Sequence, residues 1–85
     1  MRQRLINVLR SYFSRHLLAT RHQLNLTQAQ MARRLSLDTR SYVELDHGSA
    51  TCSALTLALY LVYLCDDPQA FLSGLRAELD QEKKA

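Results

Sequence analysis

Eighty-five residues with two glycines and one proline make a single domain, 1–85, large enough for one modest core and dominated by helix-compatible residues. The net charge of +3 hides a division: residues 1–40 carry eight arginines against Asp38 alone, while residues 41–85 carry three cations against seven acids. Two isolated cysteines, Cys52 and Cys65, give no support to zinc or redox chemistry, and the apolar run from Ala54 to Cys65 is too short to span a membrane.

The arginine-rich start lacks a following apolar block, so no secretory signal is read there, and a cytoplasmic location with reduced thiols is expected. A basic half joined to an acidic half suits a face presented to a polyanion. The alternative is a solubilising arginine surface. That all eight cations of the first half are arginine favours phosphate, whose geometry matches the guanidinium fork.

In chain order, the first helix is expected from about Gln3 to Gln23, with Leu5, Leu9, Phe13 and Leu17 four apart on one stripe. Asn25, which tolerates positive φ, breaks it. Residues 26–48, LTQAQMARRLSLDTRSYVELDHG, read as two short helices around a tight break. Thr27 and Gln30 form a capping box for the first of them, and Met31, Ala32 and Leu35 recur at helical spacing. Ser36-Leu37-Asp38 interrupts the pattern, Asp38 caps the next helix (about 39–47), and Gly48 ends it. Such a pair is a helix-turn-helix, whose second helix suits the DNA major groove.

Ser53 is expected to cap a fourth helix, Ala54 to about Leu64, which is apolar nearly all round and therefore central in the core or shared with a second subunit. Asp67-Pro68 starts a fifth, with Phe71, Leu72, Leu75 and Leu79 facing inward and a polar tail fraying from Gln81. Helices four and five thus occupy about 53–80. The class is all-α, with five helices.

If Tyr42 and Leu45 of the third helix face inward, Thr39, Arg40, Val43 and Glu44 share the opposite face. Glu44 has an alternative role as a partner of Arg40, four residues earlier. Asp38 and Glu44 also put negative charge where phosphates would approach. His16 and His22 do not share a face well and read as structural or solvated, so no metal or cofactor is expected. No nucleophile–base pair or phosphate loop is evident, which argues against an enzyme.

Over roughly residues 14–65 the chain resembles the Cro/phage-repressor (Xre-type) helix-turn-helix family. The resemblance rests on Arg21, Leu26-Thr27-Gln28, Ala32, Ser36-Leu37-Asp38, Asp46-His47-Gly48, and Ser53, Leu55, Leu57 and Leu61, in order and spacing. It departs at Ser36, where the family often has Gly, at Asp46, where it usually has Glu, and at Cys52, where Pro is common. The resemblance implies a five-helix phage-repressor-like DNA-binding domain with the helix-turn-helix at helices two and three. It also implies a partly buried, bidentate Arg21–Asp46 ion pair, the alternative being two unrelated surface charges.

By the family's docking, Thr39, Arg40, Val43 and Glu44 would meet base edges: Arg40 on guanine O6 and N7, Glu44 on cytosine N4, Val43 on a thymine methyl. Gln28, Arg33, Ser41, His47 and Ser49 would contact the DNA backbone. The function implied is a sequence-specific transcriptional regulator on double-stranded DNA, acting as a homodimer with half-sites ~34 Å apart. Tyr60, Tyr63, Leu64, Phe71 and Leu72 are the expected dimer interface, with Leu5, Ile6 and Leu9 as a rival surface, unless both pack together within one subunit. The alternative function is a protein-interaction module of the same fold, an antiactivator or antitoxin-like partner that does not bind DNA.

Overall fold

Three successive helices of the computed structural model, which describes residues 1–84, end in the same hydrogen-bonded turn. The helices are α1 (Arg2–Gln23), α2 (Gln28–Arg34), α3 (Thr39–Asp46), α4 (Ala54–Leu59) and α5 (Pro68–Lys84), and no strand occurs among the described residues. After α1, Leu26 N–H bonds Arg21 O at 3.0 Å and Asn25 N–H bonds His22 O at 3.1 Å. After α2, Leu37 N–H bonds Ala32 O at 2.9 Å and Ser36 N–H bonds Arg33 O at 3.1 Å. After α3, Ser49 N–H bonds Glu44 O at 2.9 Å and Gly48 N–H bonds Leu45 O at 3.1 Å.

Each pair is a Schellman closure, which satisfies two orphan carbonyls and requires a left-handed residue just past the helix end. Those residues are Asn25 (φ 56°), Ser36 (φ 57°) and Gly48 (φ 75°). Asn25 and Gly48 suit that conformation, whereas Ser36 has a Cβ and no compensating side-chain hydrogen bond among the described residues.

The helix starts are as regular as the ends. Thr27 and Gln30 form a reciprocal capping box at 3.1 and 2.9 Å. Asp38 accepts from Ser41 N–H at 2.7 Å, Ser53 from Thr56 N–H at 3.1 Å, and Asp67 from Ala70 N–H at 3.0 Å. Each cap meets one of the N–H groups that the first helical turn leaves without a partner.

The core is built on α1, which packs against both α3 and α5, while α2 packs against α3. Phe13, Leu17, Met31, Leu35, Tyr42 and Tyr60 are its most deeply buried large side chains, and Ala32 is buried beside them. Phe13 meets Tyr60 edge-on with ring centroids 5.2 Å apart, and Tyr12 meets Phe71 edge-on at 5.1 Å. The ring-edge positive charge of one partner then faces the ring-face negative charge of the other. Tyr12 Oη donates to the Phe71 carbonyl at 2.7 Å, so the polar end of a core tyrosine is satisfied by α5.

Three expectations are corrected here. The helix begun at Ala54 does not stay α-helical to Leu64: Tyr60–Leu64 form a π-helical turn, closed by Cys65 N–H to Tyr60 O at 2.8 Å. The wider turn offsets the advance of an α-helix, so Thr56, Tyr60 and Leu64 all reach the core. The fifth helix continues through Lys84 rather than fraying at Gln81. Leu72, expected inward, is half-exposed, because Phe71 and Leu75 already fill the face toward α1.

Candidate nucleic-acid interface

Asp46, at the end of α3, organises the region where α1, α2 and α3 meet. Its side chain is 5% exposed, and its carboxylate accepts from Tyr42 Oη at 3.1 Å and from Gln28 Nε2 at 3.2 Å. Arg21 Nη2 lies 3.6 Å from the same carboxylate, and Ser14 Oγ donates to the Asp46 carbonyl at 2.6 Å. Asp46 therefore joins α1, α2 and α3 through four side chains.

The Arg21–Asp46 pair is present, but it is a single long contact rather than the expected bidentate fork. The reason is competition. Tyr42 and Gln28 occupy the carboxylate, Arg21 also reaches the Leu26 carbonyl at 3.5 Å, and Arg21 Nε is buried without a partner among the described residues. Burial, followed by the negative charge and hydrogen bond of Asp46, pushes the Tyr42 hydroxyl well above the usual phenol range.

With Tyr42, Leu45 and Asp46 buried, α3 turns Thr39, Arg40 and Glu44 to solvent and leaves Val43 half-buried. All four residues expected at base edges thus lie on the outer side of one helix. Among the described residues Arg40 and Glu44 form no ion pair with each other.

The charges of residues 26–48 are arranged unequally. Of their three acids, Asp46 is held inside the protein and Asp38 uses both carboxylate oxygens on Ser41, one on the N–H and one on the hydroxyl at 3.1 Å. Those two bonds hold the Asp38 carboxyl below the usual carboxylate range. Glu44 is the remaining acid. The three cations, Arg33, Arg34 and Arg40, are all exposed and have no ion-pair partner among the described residues.

The five residues expected at the DNA backbone divide into two groups. Arg33 and His47 are exposed and make no side-chain hydrogen bond within the described residues. Gln28 is turned instead to Asp46, Ser41 to Asp38, and Ser49 Oγ donates to the Glu44 carbonyl at 3.0 Å. Gln28 is the clearest difference, because a buried carboxylate out-competes solvent for its amide. One contact had no sequence signal: Arg10 Nε donates to Thr51 Oγ1 at 2.7 Å across 41 positions, tying α1 to the segment after Gly48.

The expected dimer residues are corrected in part. Tyr60, Leu64 and Phe71 belong to the core of one chain, with Tyr60 Oη 2.9 Å from Thr20 Oγ1. Tyr63 remains 76% exposed, next to Val62 at 69%, and Leu55 of α4 is 66% exposed. The apolar surface of α4 and the turn that follows it is therefore Leu55, Val62 and Tyr63.

His16 packs on Tyr12 and Phe71 at 4.3 and 4.9 Å, and its burial lowers its basicity. No group of three His, Cys, Asp or Glu side chains among the described residues could hold a metal, and no helix is long and apolar enough to cross a membrane. No family model, curated protein or solved structure matches the chain.

Proposed function

We propose that this protein is a sequence-specific DNA-binding regulator of the phage-repressor-like type, with α2 and α3 as a helix-turn-helix and α3 as the reading helix. The observation that carries the proposal is the charge arrangement of residues 26–48. Arg33, Arg34 and Arg40 are exposed and unpaired among the described residues, while one of the three acids, Asp46, is enclosed by the protein and Asp38 caps α3 from an exposed position. A segment that is neutral by count therefore exposes three arginines against Asp38 and Glu44, a net charge of +1 toward a polyanion.

In this reading Arg40 bonds a guanine edge, Val43 packs on a thymine methyl, and Thr39 and Glu44 contact adjacent bases. Arg33 and His47 hold the backbone, which positions the helix without reading sequence. The outward apolar face, Leu55 with Val62 and Tyr63, pairs two copies on a two-fold site with half-sites ~34 Å apart.

Fluorescence anisotropy on a random-sequence duplex at two salt concentrations is the first test, followed by selection of bound sites from a random pool. Binding should weaken steeply with salt, and Arg33→Ala with Arg34→Ala should flatten log K against log salt by about 0.9 for each phosphate no longer neutralised. Arg40→Ala should cost about 1–3 kcal/mol on the selected site and less on random DNA. Absence of binding at low salt refutes the proposal.

A second reading, a protein-interaction module without DNA binding, is favoured by one observation: Glu44 stays solvated on α3, where DNA phosphates would approach. Failure of the DNA test together with a monomeric chain would support it.

A further inference from the structure

The amino-terminal half of α1 lies beside α5, and the apolar sides of the two helices flank an open depression. Between them lies an open groove of about 570 Å³, walled by Leu5, Ile6 and Leu9 of α1, Leu57 of α4, and Leu72 and Leu79 of α5. Its rim carries Arg2, Arg76 and Lys83 against one acid, Asp80. Asp80 lies 3.7 Å from Arg76 in an exposed pair, so Arg2 and Lys83 have no counter-ion among the described residues.

We propose that this groove binds a medium-chain, unbranched carboxylate, its alkyl chain along the leucine wall and its head group between Arg2 and Lys83. The volume lies within the ~300–1,000 Å³ range of small-molecule sites. The wall is aliphatic, with no aromatic ring to stack a planar ligand, which suits a flexible chain. Arginine and lysine only donate hydrogen bonds, so the matching head group is an acceptor, and a carboxylate fits the guanidinium fork. The groove shares no residue with α2 or α3, so the inference is independent of the DNA-binding reading.

Calorimetric titration of the full chain with octanoate, decanoate and dodecanoate, and with decanol as the uncharged control, tests the proposal. One-to-one binding should tighten about fourfold per added methylene, the value expected for burying each CH₂. Decanol should bind at least tenfold more weakly than decanoate. Lys83→Glu, a rim change, should weaken decanoate but not decanol. Leu72→Glu places a carboxylate on a half-exposed wall residue and should abolish both, with the helical circular dichroism retained.

Absence of decanoate binding overturns the proposal, as does equal affinity for the acid and the alcohol. A third outcome also overturns it: a dimer that Leu72→Glu converts to monomer would mean that a second copy occupies the groove.

Discussion

Ser36→Gly should stabilise this protein, although it removes atoms and introduces no new interaction. Ser36 holds φ 57° at the end of α2, where its N–H and that of Leu37 close the helix. A residue with a Cβ gives up ~1–2 kcal/mol in that conformation. Glycine avoids this cost but loses more freedom on folding, which returns roughly 0.5–1 kcal/mol. The net gain is about 0.5–1 kcal/mol, or a rise in Tm of about 3–6 °C for a domain of this size.

Because the Ser36 side chain is exposed and bonds nothing among the described residues, its removal breaks no interaction that would offset the gain. Gly48→Ala is the mirror experiment. A Cβ there would sit 3.6 Å from Ser14 Cβ, an ordinary van der Waals separation, so its destabilisation is conformational rather than steric. It should cost about 1–2 kcal/mol. Thermal melts followed by circular dichroism on both variants decide the matter. A Tm for Ser36→Gly at or below that of the parent refutes the reasoning, since the strained turn is then not where the conformational energy resides.

Asp46→Ala should cost about 3–5 kcal/mol, because it leaves the Arg21 guanidinium in a site 15% exposed without its counter-charge, and Asp46→Asn should cost less; urea midpoints compare the two, and equal losses would discount the charge. Burial raises the Tyr42 hydroxyl above its ordinary range and Tyr60 to about 12. Both folded values exceed that of the unfolded chain, so the stability they contribute is full below about pH 10 and declines as pH rises through the folded values. Tm should therefore fall above about pH 10, with phenolate absorbance from these rings tracking unfolding; a flat Tm from there to about pH 12 would contradict this. Gly74→Ala would drive a Cβ into the Tyr12 hydroxyl and should cost about 1–3 kcal/mol. The same change in a Tyr12→Phe background should cost less, and strict additivity of the two in a double-mutant cycle would show that they do not meet.

The site was legible to different depths. Thr39, Arg40 and Glu44 were readable as an outer face because Tyr42 and Leu45 mark the inner one within a single helix, and the helix keeps that relation. The electrostatic character of the same face was misleading by count alone. Asp46 contributes negative charge to the sequence yet is enclosed by Tyr42, Gln28 and Arg21, whereas Asp38 caps α3 from an exposed position and keeps its charge at the surface. Gln28 could not be placed from its own neighbourhood, because its partner lies 18 positions away.

Residues 1–84 divide cleanly between what local chemistry decides and what packing decides. Thr27, Asp38, Ser53 and Asp67 start helices, and Asn25, Ser36 and Gly48 end them, through bonds that reach only three to five residues along the chain. Those features belong to the sequence by itself, since each is complete before any two helices meet. The apolar residues of α4 and α5 are another matter. Tyr60, Leu64 and Phe71 went to the core while Tyr63 and Leu72 stayed outside. A segment apolar on several sides offers no single face to choose, so the choice falls to the π turn at Tyr60–Leu64 and to the aromatic partners Phe13 and Tyr12, which only the folded chain brings within reach.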